Sequence, residues 1–414
     1  MENKVRLYSE IGKLNAVLLH RPGIEIERMT PENAHEALYS DILNKKLVDG
    51  EYANFEGVLS RWTKTYQVVD LLAEVLKNEA VKKNLVETSC RLDDCGFLCD
   101  ELLSHDEKTL ARELVEGFEY RRGVDPQKYE DERYILKPLY NLFFTRDAAS
   151  SMYNMLLMNT MSFKVRMREN IIYRAIFENY FGCESINAGE WEPTARTEGG
   201  DVLIARDDTL FIGNGIRTNK KGIEFLAEYF KVRKPKFNIL VQELPETPES
   251  FIHLDMVFTF LDKDRCMMFE PLIRKNAKYS HLQTTHIEID NGKITYHQKP
   301  NFLQGARDLG FDLNPVVCGG DDPWTQQREQ WHSGANFFAL GEGKVIGYER
   351  NWKTIEALDK AGFAVLKAAD VCKGTVDMHK YEKFVVAFAG SELPRGGGGA
   401  RCMTMPINRE EVKW

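Results

Sequence analysis

Short apolar runs alternate along the chain with stretches of helical periodicity. Runs at Leu14–Leu19, Met155–Met158, Val202–Ile204, Asn238–Val241, Met256–Leu261, Val345–Tyr348 and Phe384–Ala389 have the length and composition of strands. Between several of them lie helical patterns such as Phe163–Phe181 and Lys221–Phe230. This mixed order of strands and helices is that of an α/β chain. Residues 70–135 read differently. Leu71, Leu72, Val75 and Leu76 recur at helical spacing, and Ser104-His-Asp-Glu107 has the form of a capping box opening a second helix through Phe118. The segment reads as a helical insertion within one domain spanning residues 1–414, since no low-complexity linker and no fixed-period repeat divides the chain.

Composition narrows the setting. With 414 residues, of which 43% are hydrophobic and 29% charged, the chain can bury a substantial core. Its formal net charge of -8 leaves no basic field for nucleic acid or anionic lipid, whereas a small cationic substrate is compatible with it. The N-terminal Met-Glu-Asn-Lys-Val-Arg lacks an apolar leader core, and no stretch reaches the roughly 18 apolar residues of a spanning helix. A cytoplasmic protein with no membrane partner is expected. Cysteines 90, 95, 99, 183, 266, 318, 372 and 402 are scattered, which suits reduced thiols; the Cys90, Cys95 and Cys99 cluster has no usual zinc spacing, so no metal is expected there.

Four stretches concentrate polar chemistry at turns or strand ends: Asn141-Leu-Phe-Phe-Thr-Arg-Asp147, Glu198-Gly-Gly-Asp201, His253-Leu-Asp255 and the glycine run that leads through Arg401 to Cys402. On a strand, His253 and Asp255 would share a face, where a carboxylate can hold an imidazole as acid or base. The apolar neighbours Phe251, Met256, Val257 and Phe258 argue for burial over a surface ion pair. The glycine run lets the chain approach a ligand closely, and Arg401 beside Cys402 would favour a thiolate. A flexible tail that happens to hold a cysteine is the plain alternative. Asp147, Glu198, Asp201 and Asp255 exceed what a cysteine protease needs. Carboxylates in that number suit a planar cation such as a guanidinium, with a divalent metal as the competing explanation.

These stretches resemble the arginine deiminases of the wider guanidine-modifying superfamily. The likeness runs nearly end to end, from Leu7-Tyr-Ser-Glu-Ile-Gly-Lys-Leu and Val17-Leu-Leu-His-Arg-Pro-Gly23 through Cys318-Gly-Gly-Asp and Arg328-Glu-Gln-Trp331 to Arg401-Cys-Met-Thr-Met-Pro406. The resemblance implies a five-bladed, pseudo-symmetric α/β propeller with the inserted helical subdomain, acting without a cofactor as a homodimer or larger homo-oligomer. It implies that Cys402 is the nucleophile in hydrolysis of L-arginine to citrulline and ammonia, that Asp147 and Asp255 grip the guanidinium, that His253 moves protons, and that Glu198 supports the cluster. For the rest of the substrate it implies Asn141, Arg166 and Arg217 at the α-carboxylate, Phe144 on the aliphatic stem and Asp201 nearby, with Arg168 rivalling Arg166. One position departs from the family pattern: Gly397 stands where the final loop usually carries a carboxylate-binding arginine, with Arg395 and Arg401 on either side. A deiminase acting on another guanidino compound, an amidinotransferase and a catalytically idle relative are the alternatives.

Overall fold

The computed structural model describes residues 4–130, 132–274 and 276–414. One local pattern recurs through the chain: an antiparallel strand pair, then a helical connection, then a third strand parallel to the second. Strand β1 (Leu14–Leu19) leads through helix α1 (Lys45–Trp62) to β2 (Lys64–Gln67), its parallel neighbour. Asn44 caps α1 by accepting from Leu47 N. Helices α2 (Val68–Val75), α3 (Glu79–Leu92), α4 (Cys99–Ser104) and α5 (Glu107–Glu116) follow, and a two-strand ribbon of β3 (Phe118–Glu119) and β4 (Tyr134–Leu136) closes this region. The expected capping box shifts by two residues. Asp106, not Ser104, caps α5 by accepting from Lys108 N and Thr109 N, while Ser104 Oγ turns back to Glu101 O; the helix ends at Glu116 because Gly117 takes a positive φ.

The pattern then repeats. Strands β5 (Ala149–Met152) and β6 (Met155–Met158) form a hairpin, and α6 (Met167–Asn179) returns the chain to β7 (Glu184–Asn187), parallel to β6. After the short α7 (Ala188–Trp191), β8 (Val202–Arg206) pairs with β9 (Thr209–Asn214), and α8 (Lys220–Lys231) leads to β10 (Lys236–Glu243), parallel to β9. Next, β11 (Phe258–Asp262) pairs with β12 (Arg265–Met268). The return from β12 passes α9 (Glu270–Ile273), the hairpin of β13 (Thr284–Asp290) and β14 (Lys293–Lys299) and α10 (Phe302–Asp308), and ends in β15 (Asn314–Val317), parallel to β12. The β13–β14 hairpin widens the preceding sheet by pairing with β10.

After α11 (Pro323–Trp331), β16 (Phe338–Gly341) pairs with β17 (Lys344–Tyr348); α12 (Trp352–Lys360), β18 (Ala364–Lys367) and α13 (Ala368–Lys373) precede β19 (Phe384–Phe388), which is parallel to both β17 and β18. The last strand, β20 (Met405–Arg409), returns to pair antiparallel with β1 and completes the first sheet. Among the described residues there are thus five sheets of three or more strands and one two-strand ribbon.

The apolar sequence runs account for the strands. Phe384–Phe388 is buried at every position, as are Phe258–Asp262 and Phe338–Gly341. Aromatic packing joins neighbouring sheets: Phe211 of β9 stacks on Phe260 of β11 and meets Phe258 at a tilt. The helices of residues 68–116 do not form a separate core; Leu72, Val86 and Leu114 share one buried cluster with Leu18, Met158 and Ile176. No helix among the described residues is long and apolar enough to cross a membrane.

Candidate active site

Five of the strands are entered by segments that carry the expected or neighbouring polar groups. Asp147 lies just before β5, Asp201 before β8, Asp255 before β11, Asn336 before β16 and Cys402 before β20. Hydrogen bonds between these segments draw them together. Gly199 N donates to Asp147 O, Leu254 N to Asp201 Oδ1, Asp255 N to Gly200 O, Asn336 Nδ2 to Asp255 O, and Arg146 N to Cys402 O. Some of them border a cavity of about 620 Å³ whose lining includes Asn141, Phe144, Asp147, Arg166, Arg217, His253 and Cys402, while Asp201, Asp255 and Asn336 lie behind its wall. A single cavity of this size is the usual setting of a small-molecule site.

Cys402 is 3% exposed at the cavity wall. Its Sγ lies 3.3 Å from Asn336 Nδ2 and 3.9 Å from Asp255 Oδ2, and Asn336 Oδ1 accepts from Arg401 N at 2.8 Å and Cys402 N at 3.3 Å. The amide therefore clamps the backbone at Cys402 while facing its sulfur. Burial, reinforced by the carboxylates of Asp255 and Asp147, raises the thiol well above the ordinary cysteine value. The expected help from Arg401 is largely absent. Its guanidinium turns away from the sulfur into a buried network, with Nη1 2.8 Å from Asp255 Oδ2 and Nε 2.9 Å from Glu10 Oε2, and two carboxylates absorb its charge.

His253 and Asp255 are not on a strand. His253 is extended and Leu254–Met256 forms a 3-10 turn, so the chain reaches β11 only at Phe258. The two side chains diverge accordingly. His253 Nε2 meets Glu198 Oε2 at 3.0 Å, and its Nδ1 faces Asp147 Oδ1 at 3.8 Å, whereas Asp255 is fully buried and held by Arg401. Burial opposes charge on His253, but Asp147, the Glu198 hydrogen bond and Asp201 outweigh it and lift the imidazole from 6.5 to about 9. Burial likewise raises Glu198, yet Arg217 and His253 overcome it and hold the carboxyl at about 2. At neutral pH the pair is imidazolium and carboxylate. Gly200 makes room for the ring: an added Cβ would stand 2.4 Å from His253 Nδ1.

The remaining expected residues divide. Phe144 and Asn141 line the cavity, with Asn141 Nδ2 donating to Ala37 O. Arg217 lines it as well, with Nη1 3.2 Å from Glu198 Oε2 and Nε buried without a partner among the described residues. Arg166 lines it, but its guanidinium is engaged by Asp147 at 2.7 Å and Glu169 at 2.8 Å. Arg168 is no rival. It is buried outside the cavity wall and bonds Leu114 O, Lys137 O and Asp93. Asp201 is also off the wall: Oδ1 accepts from Leu254 N, fixing the turn that carries His253 and Asp255, while burial pushes its carboxyl up to about 7. Its place is structural support for that turn. Gly397 sits on the wall with φ of 90°, and open space surrounds the position of a Cβ there. The obstacle to an arginine is therefore backbone strain, on the order of 1–2 kcal/mol, and not volume.

Sequence reasoning missed Glu10, Asn336 and Glu169. Glu10 lies within Leu7-Tyr-Ser-Glu-Ile-Gly-Lys-Leu, a stretch that carried the resemblance but had no chemical role assigned; nothing local signals that its partner is Arg401. Asn336 could have been found from its place just before a strand, the position shared by Asp147, Asp201 and Cys402. Glu169 stands three residues after Arg166, a helical spacing that allows the ion pair observed.

A fold of repeated strand–strand–helix–strand units that brings a buried cysteine, an imidazolium and Asp147 to one cavity, with further carboxylates behind its wall, defines a hydrolase built for a cationic substrate. A sequence model of the arginine deiminase family matches residues 35–409. The chain is 33% identical to the arginine deiminase of Listeria innocua serovar 6a and 32% identical to that of Listeria monocytogenes serovar 1/2a, in each case covering 100% of both chains. Among solved structures, it resembles the product-bound N-terminal domain of ArgZ, an arginine dihydrolase of cyanobacteria, with a TM-score of 0.54 at 12% identity, covering 95% of this chain and 97% of that one. It also resembles a citrulline complex of the dimethylarginine dimethylaminohydrolase of Pseudomonas aeruginosa, with a TM-score of 0.51 at 11% identity, covering 95% and 99%. The chain belongs to the arginine deiminase family. It is an enzyme of that type, a hydrolase acting on a carbon–nitrogen bond.

Proposed function

We propose that the enzyme converts L-arginine and water into L-citrulline and ammonia through a covalent intermediate on Cys402. The observation that carries this reading is the pairing of a buried thiol with two unpartnered carboxylate oxygens: Asp147 Oδ1 and Asp255 Oδ1 have no hydrogen-bond partner among the described residues. Such oxygens are costly unless a donor arrives, and a guanidinium brings N–H groups and positive charge together. The same charge offsets the field that keeps Cys402 protonated, so substrate binding favours loss of the thiol proton to solvent. The thiolate then adds to the guanidinium carbon. His253, cationic at rest, gives its proton to the departing nitrogen, and ammonia leaves a thiouronium on sulfur. The neutral imidazole next takes a proton from water, the hydroxide adds to the same carbon, and collapse to the ureido group expels the sulfur, which takes up the hydroxyl proton and returns to the thiol. Glu198 holds the imidazole through Nε2, leaving Nδ1 toward Asp147 and the reacting carbon.

The finer architecture follows the same reading. The five sheets form the blades of an α/β propeller in a single domain of residues 1–414, with the helical insertion at 70–135. The recurrence of one strand pattern, with Asp147, Asp201, Asp255, Asn336 and Cys402 just before one strand of each of the five sheets, supports pseudo-fivefold placement around the cavity. The family resemblance further makes the enzyme cytoplasmic and homo-oligomeric, and the eight free thiols suit a reducing compartment.

Incubation with L-arginine, agmatine and methylated arginines, with ammonia and ureido product quantified for each, tests the proposal. L-arginine should be the best substrate; faster turnover of agmatine would refute the substrate assignment. The pH profile tests the role of His253. Because its pKa is raised by folding, the protonated acid is present at neutral pH and is lost as pH rises through about 9. Activity should therefore fall above that value, and Glu198→Gln should move this limb toward 6.5 by removing a charge and hydrogen bond that favour the imidazolium. An unmoved limb would remove His253 from that role.

A further inference from the structure

We propose that Arg350 receives the α-carboxylate of the substrate, taking over the task for which the nucleophile loop offers only Gly397. The inference rests on the reading of L-arginine as substrate. Among the described residues four arginines line the cavity: Arg166, Arg217, Arg350 and Arg395. Three have a carboxylate partner, although Glu198 is shared between Arg217 and His253. Arg166 pairs with Asp147 and Glu169, Arg217 with Glu198, and Arg395 with Asp41 and Glu392. Arg350 alone has no carboxylate at ion-pair distance among the described residues. Its Nη1 donates to Gly390 O at 3.1 Å and Ser391 O at 3.2 Å, and its Nη2 lies 3.2 Å from His332 Nε2.

These partners orient the guanidinium without cancelling its charge. A half-buried cation held by two carbonyls and an imidazole keeps its attraction for an anion, which a planar guanidinium meets with directed hydrogen bonds. His332 reinforces the arrangement. Burial and the neighbouring Arg350 hold its pKa down to about 4, so the ring is neutral, accepts at Nε2 and carries its proton on Nδ1. That Nδ1 is buried with no partner among the described residues.

Topology ties this cation to the reacting group. Arg350 stands two residues beyond β17, and Tyr348 at the end of that strand donates to Gly398 O at 3.0 Å. Arg350 and Tyr348 thus brace the same loop, running from Gly390 to Cys402, that carries the nucleophile. The reaction end of the cavity is supplied by Asp147, His253 and Cys402 and takes the guanidinium. The substrate's negative end must then meet a cation elsewhere on the wall, and Arg350 is the arginine there with no carboxylate partner among the described residues.

Steady-state kinetics of the wild type, Arg350→Met and Arg350→Lys with L-arginine and agmatine decide the matter, because agmatine keeps the guanidinium and lacks the carboxylate. Agmatine can be followed as substrate or as competitive inhibitor. Arg350→Met should raise KM for L-arginine by about tenfold to a hundredfold with little change in kcat, the loss of one charged hydrogen-bond pair. It should leave the agmatine constant within about twofold, and Arg350→Lys should recover part of the L-arginine affinity. Equal losses on both ligands would assign Arg350 to loop bracing alone and overturn the inference, as would an unchanged KM for L-arginine. A wild type releasing no ammonia from L-arginine would instead defeat the parent reading and this inference with it.

Discussion

Cys402→Ser is expected to abolish ammonia release from L-arginine, lowering kcat by roughly 10⁴-fold or more, because a serine hydroxyl in this pocket has neither the acidity nor the nucleophilicity of the thiol. Folding should survive. The serine oxygen would find Asn336 Nδ2 and Asp255 Oδ2, the neighbours now facing the sulfur, so stability should stay within about 1 kcal/mol of the wild type. Thermal melting beside an ammonia assay separates the two effects. In acid-quenched wild type, mass spectrometry of the peptide containing Cys402 should find the substrate, less ammonia, attached to sulfur. Substantial turnover by the serine variant would end the covalent mechanism.

The second large effect is expected from a residue just behind the cavity wall. Arg401→Met removes the cation from a buried network in which Arg401 meets Glu10 at 2.9 and 3.0 Å and Asp255 at 2.8 Å. Both carboxylates are almost wholly buried, so the variant leaves two charges without compensation. Breaking a buried pair in this way costs about 3–5 kcal/mol. Unfolding in denaturant should shift by that amount. Activity should fall as well, since Asp255 loses the partner that opposes its burial and keeps it available as an anion. The double variant Glu10→Leu/Arg401→Met should recover part of the stability, because one of the two stranded charges is gone. A shift within about 0.5 kcal/mol for Arg401→Met would show the network to be energetically idle.

Local features of the fold were legible. The apolar runs Leu14–Leu19 and Met155–Met158 are strands with those bounds, and the helix read at Lys221–Phe230 occupies Lys220–Lys231. Such elements follow from periodicity and end groups within a few residues of sequence. The failures were local as well. Ser104 and Asp106 could each cap a helix, and packing of Leu110 and Leu114 chose the later start. His253-Leu-Asp255 could have alternated along a strand, but the turn is held by Asp201 and Gly200 from another hairpin. No window containing only residues 253–258 holds that information.

The sequence by itself determined the inventory: a cysteine behind a glycine run, one histidine near an aspartate, a surplus of carboxylates, and a mixed order of strands and helices with a helical insert. The tertiary structure decided which charges are available. Arg401, next to Cys402 in sequence, is spent on Glu10 and Asp255; Arg166 is spent on Asp147 and Glu169; Arg350, which no motif marked, is left without a carboxylate among the described residues. The physical reason is range. Helix and strand preferences act over neighbouring residues, whereas burial and Coulomb pairing depend on distance after folding, and the two sides of the Glu10–Arg401 pair are 391 residues apart in the chain.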